Sequence, residues 1–313
     1  MEDFVKRLTA LGLAGQTTHI MLRPEQYQFL QIDAPAVPPE ELRAATRYQI
    51  REMIQTDIDQ VMLDVMRVGD RPPESSGSLF VVVAANAVVN AAVELGDQMH
   101  WTVPVIDINE TAQRNLQSLV ARRADQPERA HATLVLVEAQ QVVLTICAND
   151  ELFYSRCFEL PEGFLSASWG REAEVGGATS SAMDDTALEM PVGEYVPDYN
   201  VGGVSYGTDY SSVRPLETGL SAVAQADDER TQRFLVEVQR SFDVWDRTWS
   251  SKPLASVHVY AGERSAELAN WLTVQLGQTV QALDVSALFA GLEQAPASDQ
   301  AQCLPLLGLL LRN

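Results

Sequence analysis

Two kinds of apolar pattern alternate along the chain. Continuous apolar runs are typical of buried strands, whereas apolar residues repeated every three or four positions are typical of helices with one buried face. Early in the chain, VMLDVMRVG, SLFVVVAA and WTVPVIDI predict strands, and TTHIMLR with YQFLQID predicts a hairpin around residues 24–26. Helices are predicted over residues 38–54, from Val88 to Met99, and from a cap at Asn109-Glu110 onward.

The later part of the chain repeats this alternation. Strands are predicted at 132–137, 141–147 and 151–159, and again in SVHVYAG and TVQALDV. Helices are predicted between and after the last two strands, ending in CLPLLGLLLRN. This succession of strands and helices predicts an α/β fold. A long helix before SVHVYAG carries an aromatic stripe that we expect to be core rather than a cofactor site: Phe234, Val238, Phe242, Trp245 and Trp249.

Residues 161–228 differ in composition from the rest. Glycine, serine, tyrosine and acidic residues dominate, and twelve carboxylates face only Arg171 and Arg214. Such a segment buries too little apolar surface to offset its ordering entropy, so it predicts a flexible acidic insertion. We therefore expect an N-terminal lobe at 1–124 and a C-terminal lobe at 129–160 and 229–313. Four tyrosines of the insertion form either a partner-binding patch or an ordinary surface: Tyr195, Tyr199, Tyr206 and Tyr210.

Charge and cysteine content narrow the possible functions. The 313 residues carry a formal net charge of −21, which argues against nucleic acid or an anionic membrane as a partner. No apolar run is long enough to span a membrane, and MEDFVKRL lacks the apolar core of a signal peptide, so we expect a cytoplasmic protein. The three cysteines form no CxxC and are expected to be reduced, with a disulfide between Cys147 and Cys157 as the alternative. The four histidines have no metal-ligand spacing.

Several stretches resemble one known family in the same order along the chain. They are PEQYQFLQIDAPAVPPEELRAATRYQIREMI, VMLDVMRV, FVVVAAN, VPVIDINETAQRNL, EVQRSFDVWDR, VHVYAGERSAELANWL and CLPLLGLLLR. They resemble the PilM-like proteins of type IV pilus assembly, and in particular the MshI branch that serves mannose-sensitive haemagglutinin-type pili. The resemblance implies an actin-like ATPase fold with two α/β lobes around a nucleotide cleft.

The sequence departs from the family at its nucleotide-binding motifs. The family's first phosphate loop, a Gly-x-Asp-x-Gly pattern, precedes the region corresponding to Phe4–Gln31, so we expect the N-terminal lobe to lack its opening strands. At the second phosphate loop, Glu138 and the glycine-free Ala139-Gln140-Gln141 replace the usual motif, and the strand that follows retains Thr145. The cleft implied by the resemblance is therefore degenerate, and no cofactor is expected, with Mg·ATP as the alternative.

The adenosine side of the cleft is also altered. The family's glycine pair corresponds to Ala261-Gly262-Glu263-Arg264, where one glycine remains. On the preceding helix, Arg240 and Asp243 lie where family members approach the adenine and ribose, although an ion pair between them is the simpler account. Asp107 follows the strand at the crossover between the lobes and is expected to make hydrogen bonds at the strand end and helix cap.

The resemblance implies a non-catalytic scaffold. PilM-like proteins bind the cytoplasmic tail of a PilN-like inner-membrane protein and connect it to the assembly motor ATPase, so we expect a peripheral protein that does not itself enter the membrane. Its tail groove would lie between the helix at 38–54 and the strand at 60–68. Arg43, Arg47 and Arg51 on that helix are either solvated residues or partner contacts. The alternatives are an ATP-dependent switch or weak ATPase in the same machinery, and an unrelated α/β enzyme.

Overall fold

The computed structural model describes residues 2–69, 77–137, 141–169 and 215–312, with only the backbone given at 137 and 215–226. Within these residues, strands and helices alternate as an α/β fold predicts. The strands are β1 (Ile20–Met21), β2 (Tyr27–Asp33), β3 (Val61–Arg67), β4 (Ser78–Ala85), β5 (Ile106–Asp107), β6 (Ala130–Val137), β7 (Gln141–Ala148), β8 (Glu151–Glu159), β9 (Leu254–Tyr260) and β10 (Val280–Ala282). The helices are α1 (Glu2–Ala10), α2 (Leu42–Gln49), α3 (Asn86–Met99), α4 (Asn109–Arg123), α5 (Pro215–Thr248), α6 (Ser265–Leu276), α7 (Val285–Leu288) and α8 (Ala297–Leu310).

The N-terminal part contains two separate sheets. An antiparallel sheet has the order β2-β4-β3, and a small parallel sheet pairs β1 with β5. The predicted hairpin between TTHIMLR and YQFLQID is therefore wrong, because β1 and β2 belong to different sheets. Pro24–Gln26 forms a turn of 3-10 helix that redirects the chain from one sheet to the other. As predicted from its apolar run, β4 is central, with Leu79 and Val81 fully buried.

Three further predictions in this part need correction. The helix predicted over 38–54 is shorter, since α2 ends at Gln49 and a 3-10 turn follows at Ile50–Glu52. The strand in WTVPVIDI is reduced to Ile106–Asp107, because Pro104 has no amide hydrogen to donate to a neighbouring strand. The side chain of Asn109 does not cap α4, which has Ile108 at its N-cap position. Helix α1, which buries none of its residues, was not predicted at all.

The largest sheet has the order β10-β9-β6-β7-β8 and carries helices on both faces. Alternation along β6 shows the two sides, since Leu134 packs with the core of α5 and α6 while Val135 packs with Leu116 of α4 and Leu304 of α8. The predicted aromatic stripe is confirmed as core: Phe234, Val238, Phe242 and Trp245 are buried on α5, and Trp249 packs against them just beyond the helix.

The predicted insertion is wrong at both of its ends. Residues 161–169 pack into the core, where Phe164 is fully buried and Trp169 nearly so. At the other end, α5 already begins at Pro215. The prediction relied on the acidic composition of 161–228. It overlooked the apolar surface that Phe164 and Trp169 bury, and the good helix formers that follow Pro215. Residues 170–214, with all four tyrosines, lie outside the described residues, as does most of the loop predicted at DRPPESSG.

The cysteines are free and do not face one another. In the β7–β8 pairing Cys147 lies opposite Leu152, and Cys157 lies opposite Val143. Four residues along a strand separate the two positions by roughly 13 Å, which is too far for a disulfide. The alternative of a bond between Cys147 and Cys157 is therefore excluded by this arrangement.

Candidate functional site

A cleft with a volume of about 410 Å³ lies where both parts of the chain meet. It is bounded by the end of β1, the first residue of α4, the first residue of β7 and one side of α8. Because Gln141 follows the turn that replaces the second phosphate loop, this cleft is the candidate nucleotide site. Its lining residues are Met21, Leu22, Arg23, Pro24, Glu25, Asn109, Gln141, Gln302, Pro305 and Leu306.

Around the altered second phosphate loop, Gln141 lines this cleft, whereas Thr145 does not. Glu138 and Gln140 lie outside the described residues. Thr145 is fully buried, and its hydroxyl donates to Oε1 of Gln117 at 2.8 Å. The amide of Gln117 in turn donates to the carbonyl oxygens of His131, at 2.6 Å, and Thr145, at 3.2 Å. Thr145 therefore joins β7 to α4 and has no hydroxyl free for a ligand.

The adenosine-side motif is largely occupied by contacts within the chain. Gly262 has φ +59°, as a tight turn requires, and a Cβ built there meets open space. Arg264 donates to both carboxylate oxygens of Glu267, at 2.7 and 2.9 Å, and to the carbonyls of Leu165 and Ala167. Its guanidinium also lies 3.7 Å from the centre of the Trp169 ring. Sequence analysis missed Trp169 as a partner of Arg264. The usable signal was that Trp169 is an aromatic residue at the edge of a glycine- and serine-rich stretch.

Arg240 lies away from the cleft. Its guanidinium pairs with Glu237 at 3.0 Å, so the predicted ion pair with Asp243 is wrong. Glu237 also binds Arg156 of β8, which explains why it outcompetes the more exposed Asp243. Arg240 lines a separate groove of about 730 Å³ between α5 and the chain that follows β8. Glu263 forms an isolated bridge with Ala261 at the turn after β9. Among the predicted nucleotide residues that the structure describes, Thr145, Arg240 and Gly262 therefore line no common pocket.

Asp107 is the buried carboxylate nearest the crossover, with 3 % of its surface exposed. It accepts hydrogen bonds from the Ile108 amide at 3.0 Å and from the Thr111 hydroxyl, as predicted for a strand-end and cap residue. Its other oxygen pairs with Arg312 at 2.7 Å. Sequence analysis missed Arg312, because no local pattern links the end of the chain to the crossover. This arrangement neutralises the carboxylate from within the protein.

A second buried carboxylate joins the antiparallel sheet to α4. Glu110 is 5 % exposed, and the Tyr27 hydroxyl donates to its Oε2 at 2.7 Å. Burial raises the pKa of Glu110, and burial together with the Glu110 charge raises the pKa of Tyr27. The pair fixes the start of β2 against the first turn of α4, directly beside cleft residue Asn109.

The arginines of α2 have partners within the chain. Arg43 pairs with Asp64 of β3 at 2.6 Å, and Arg47 donates to the carbonyls of Ile58 and Val61. These bonds hold α2 against β3. Arg51 follows in the 3-10 turn and is exposed. Of the three predicted partner contacts, Arg51 is the most available to another molecule.

Several polar groups that could meet a nucleotide with Mg²⁺ already have partners within the described part of the chain. Asp107 is already paired with Arg312, Thr145 with Gln117, and the donors of Arg264 with Glu267 and two carbonyl oxygens. Across the described ranges, no group of three or more His, Cys, Asp or Glu is arranged to hold a metal ion. In the same ranges, no helix is both long and apolar enough to cross a membrane.

Comparison with known proteins identifies the fold. No family model matches the chain, and no curated protein does. A chain of the solved PilM–PilN type IV pilus biogenesis complex matches 98 % of this chain over 84 % of its own length, with 17 % identity and a TM-score of 0.61. A weaker match is a Bacteroides thetaiotaomicron protein with an actin-like ATPase fold, which has 8 % identity, covers 95 % of this chain and 74 % of its own, and has a TM-score of 0.42. Another is the cytoplasmic domain of EpsL of the Vibrio cholerae type II secretion system, which has 11 % identity, covers 50 % of this chain and 56 % of its own, and has a TM-score of 0.36.

The structure therefore defines an α/β protein that shares the fold of a chain in the PilM–PilN complex. The sequence resemblance to PilM-like proteins predicted this fold, and the likeness extends over nearly the whole chain.

Proposed function

We propose that this protein is a non-catalytic scaffold of type IV pilus assembly, in the branch that builds mannose-sensitive haemagglutinin-type pili. It binds the cytoplasmic tail of a PilN-like inner-membrane protein and links that protein to the assembly motor ATPase. It thus works in the cytoplasm, at the inner membrane, through its partners. The observation that carries the proposal is the likeness to a chain of a PilM–PilN complex over 98 % of this chain.

Occupied polar groups in the cleft region support a scaffold rather than an ATPase. Phosphoryl transfer depends on positioned cations and on groups that stabilise charge at the phosphates. Here Arg312 already pairs with Asp107, and Trp169 stacks on Arg264. The proposal is that these internal contacts replace the ligand and hold the fold in one arrangement.

A small groove on the N-terminal antiparallel sheet is our candidate site for the tail. Its volume is about 140 Å³, and it lies between the start of β2, the segment after α2 and the first residue of β3. It is thus next to, rather than at, the position between the helix at 38–54 and the strand at 60–68 that sequence analysis predicted. The net charge of −21 favours a basic juxtamembrane tail, because complementary charge accelerates encounter. Exposed Arg51 lies close by along the chain and is our candidate contact for an acidic residue of a partner. The groove is lined by Glu25, Gln26, Tyr27, Gln28, Ile54, Thr56, Val61, Val83 and Ala85.

Titration with a fluorescent peptide of the PilN-like tail tests this proposal. We expect saturable binding that weakens as salt is raised, since charge attraction contributes to it. Thr56→Arg, which narrows the groove, should weaken binding at least tenfold, whereas the matched variant Thr248→Arg, at an exposed position at the end of α5, should leave it unchanged. Equal binding by both variants would place the tail elsewhere on the protein.

One observation favours the alternative of an ATP-binding switch. Gly262 keeps the positive φ and the open approach that a nucleotide-binding turn requires. Calorimetric titration with Mg·ATP separates the two functions. We expect no saturable heat at protein concentrations that detect binding in the tens of micromolar. Heat that is lost in Gly262→Trp would instead show a working cleft.

A further inference from the structure

Three polar side chains meet inside the largest sheet, on the side that faces α4. His131 of β6 lies opposite Ser256 of β9, and its Nδ1 is 2.8 Å from the Ser256 hydroxyl. The same hydroxyl is 3.4 Å from Nδ1 of His258, two residues further along β9. The other ring nitrogen of His131, Nε2, is 2.8 Å from the carbonyl oxygen of Gln126 in the turn after α4. The serine thus bridges two imidazoles that are 4 % and 7 % exposed.

These partners determine which nitrogen of each imidazole carries a hydrogen. A carbonyl oxygen can only accept, so His131 donates from Nε2 to Gln126 and, while neutral, accepts at Nδ1 from the Ser256 hydroxyl. Because that hydroxyl has then donated its single hydrogen, it accepts from Nδ1 of His258. One chain of hydrogen bonds therefore runs from β9 through β6 to the turn after α4, and it is complete when both rings are neutral.

On the α4 side, the groups described around His131 offer no free anion to a protonated ring. Asp150 lines a small cavity with His131, but its carboxylate already pairs with Arg122. Cys147 lies opposite His131 on β7, and burial raises the pKa of its thiol, which therefore stays uncharged. Arg123, the last residue of α4, donates to two backbone carbonyl oxygens of α7. The remaining residues that line the cavity are uncharged: Gln117, Ser118, Ala121, Pro127 and Ala148. The charged residues of the turn itself are exposed to solvent: Asp125, Glu128 and Arg129.

The β10 side of the cluster is also without charge. Gln281 lies opposite His258 in the pairing of β10 with β9, and Tyr260 follows two residues further along β9. Burial raises the pKa of Tyr260, so its hydroxyl stays protonated. Burial lowers the pKa of His258, the neighbouring His131 lowers it further, and a hydrogen bond with the Gln281 side chain offsets part of this effect. A proton on either ring would thus be a buried charge without a counter-ion.

A serine beside a histidine is also how many enzymes activate a nucleophile. Here the cavity that His131 lines has a volume of about 10 Å³, which is room for at most one water molecule. Such a cavity holds no substrate. The cluster therefore acts within the protein rather than on a ligand.

We propose that His131, Ser256 and His258 form an acid-sensitive latch, which holds β9 and the turn after α4 to β6 while both imidazoles are neutral and releases them when a ring is protonated. Because this turn leads from α4 into the largest sheet, its release loosens the C-terminal end of α4. The latch does not depend on the proposed pilus partner.

The direction of the pH dependence follows from proton binding. The folded protein binds a proton at His258 less readily than the unfolded chain does, since the pKa of His258 is lowered from 6.5. The stabilisation is therefore fully present above the unfolded pKa and is lost as pH falls through the folded pKa.

Nitrogen-15 NMR of the unaltered protein tests the arrangement, and the chain has four histidines to resolve. At about pH 7.5 we expect His131 to carry its hydrogen on Nε2 and His258 to carry its hydrogen on Nδ1. The titration midpoint of His258 should lie below 6.5. A hydrogen on Nε2 of His258, or a midpoint at or above 6.5, would overturn the proposal.

Hydrogen exchange tests whether the latch opens. When pH is lowered from about 7.5 to about 5.5, amide protection at 126–131 and 254–258 should fall about tenfold. His258→Gln keeps an amide that can donate to Ser256 but does not titrate, so its fall should be at least about threefold smaller. His100→Asn is the control, because His100 is exposed and has φ 54°, which asparagine tolerates.

Each outcome of the exchange experiment is decisive. No fall in the unaltered protein, an equal fall in His258→Gln, or a smaller fall in His100→Asn would overturn the latch. The NMR measurement on the unaltered protein decides the proposal even where His258→Gln does not fold.

Discussion

Gly308 of α8 lies directly against the backbone of Ala112 in α4. A Cβ built at Gly308 would lie 2.2 Å from the Ala112 carbonyl oxygen, so only glycine permits this helix crossing. The contact is reinforced by Asn115, whose amide donates to the Gly308 carbonyl at 3.0 Å. Both helices contribute lining residues to the cleft, Asn109 from α4 and Gln302, Pro305 and Leu306 from α8.

The first prediction concerns this crossing. Gly308→Ala should lower the free energy of unfolding by about 2 kcal/mol or more, because the added methyl group meets backbone that cannot move aside without separating the helices. Urea denaturation followed by circular dichroism measures the change. Leu310→Ala is the matched control, since Leu310 is 69 % exposed and should alter stability by less than about 0.5 kcal/mol. Similar losses in both variants would show that the crossing is not tightly packed.

The second prediction follows from the buried pair of Glu110 and Tyr27. Burial raises the pKa of Glu110 above its usual 4.5, so the folded protein holds this proton more tightly than the unfolded chain. The resulting stabilisation is fully present below the unfolded pKa and is lost as pH rises through the folded pKa. Glu110→Gln keeps an acceptor for the Tyr27 hydroxyl but does not titrate. As the pH rises from 4, the melting temperature of Glu110→Gln should therefore exceed that of the unaltered protein by a growing margin. A difference in melting temperature that does not change with pH would contradict the raised pKa of Glu110.

The third prediction separates a structural from a ligand-binding role for Thr145. Thr145→Val removes the hydroxyl that donates to Gln117 and leaves a buried amide oxygen without that partner. We expect a loss of about 1–3 kcal/mol in the free energy of unfolding, measured in urea. Thr17→Val, at an exposed position, should change stability little. If Thr145→Val were as stable as the unaltered protein, the bond to Gln117 would not be a structural requirement.

The fourth prediction concerns the segment between residues 169 and 215. The Ser168 amide donates to the Asp227 carboxylate at 3.3 Å, so the chain leaves and rejoins the core at neighbouring points. The helix from Pro215 to Asp227 is roughly 18 Å long, a distance that a flexible linker of about eight residues can span. Replacing 170–214 with such a linker should leave the melting temperature within about 2 °C. A larger decrease would show that the replaced residues contribute to the core.

Sequence patterns predicted most of the elements but not their pairing. Apolar runs such as SLFVVVAA identify a strand because burial on both faces requires them, and β4 is indeed central. The hairpin around residues 24–26 was wrong because periodicity indicates that two strands exist, not which sheet each one joins. Helix α1 carries Phe4, Val5 and Leu8 at helical spacing, a usable signal that sequence analysis missed.

The cleft was predictable only in part. The missing glycines at 139–141 were visible in the sequence, and so was the solitary Gly262. The partners of the nearby polar groups could not be predicted from the sequence. Arg312 pairs with Asp107, and Trp169 contacts Arg264, although each pair is far apart along the chain. Such pairs are set by how helices and strands pack in three dimensions, and no local pattern encodes that packing.

The pairing of Asp107 with Arg312 has a consequence for how the protein is made. About two hundred residues separate the partners, and at about 5–20 residues per second the ribosome needs roughly 10–40 s to synthesise that interval. During this time the crossover carboxylate lacks its cation, and α4 lacks the glycine face of α8 against which it packs. The final assembly of the two halves thus waits for the last helix. A nascent chain stalled before α8 should therefore remain accessible to chaperones and proteases.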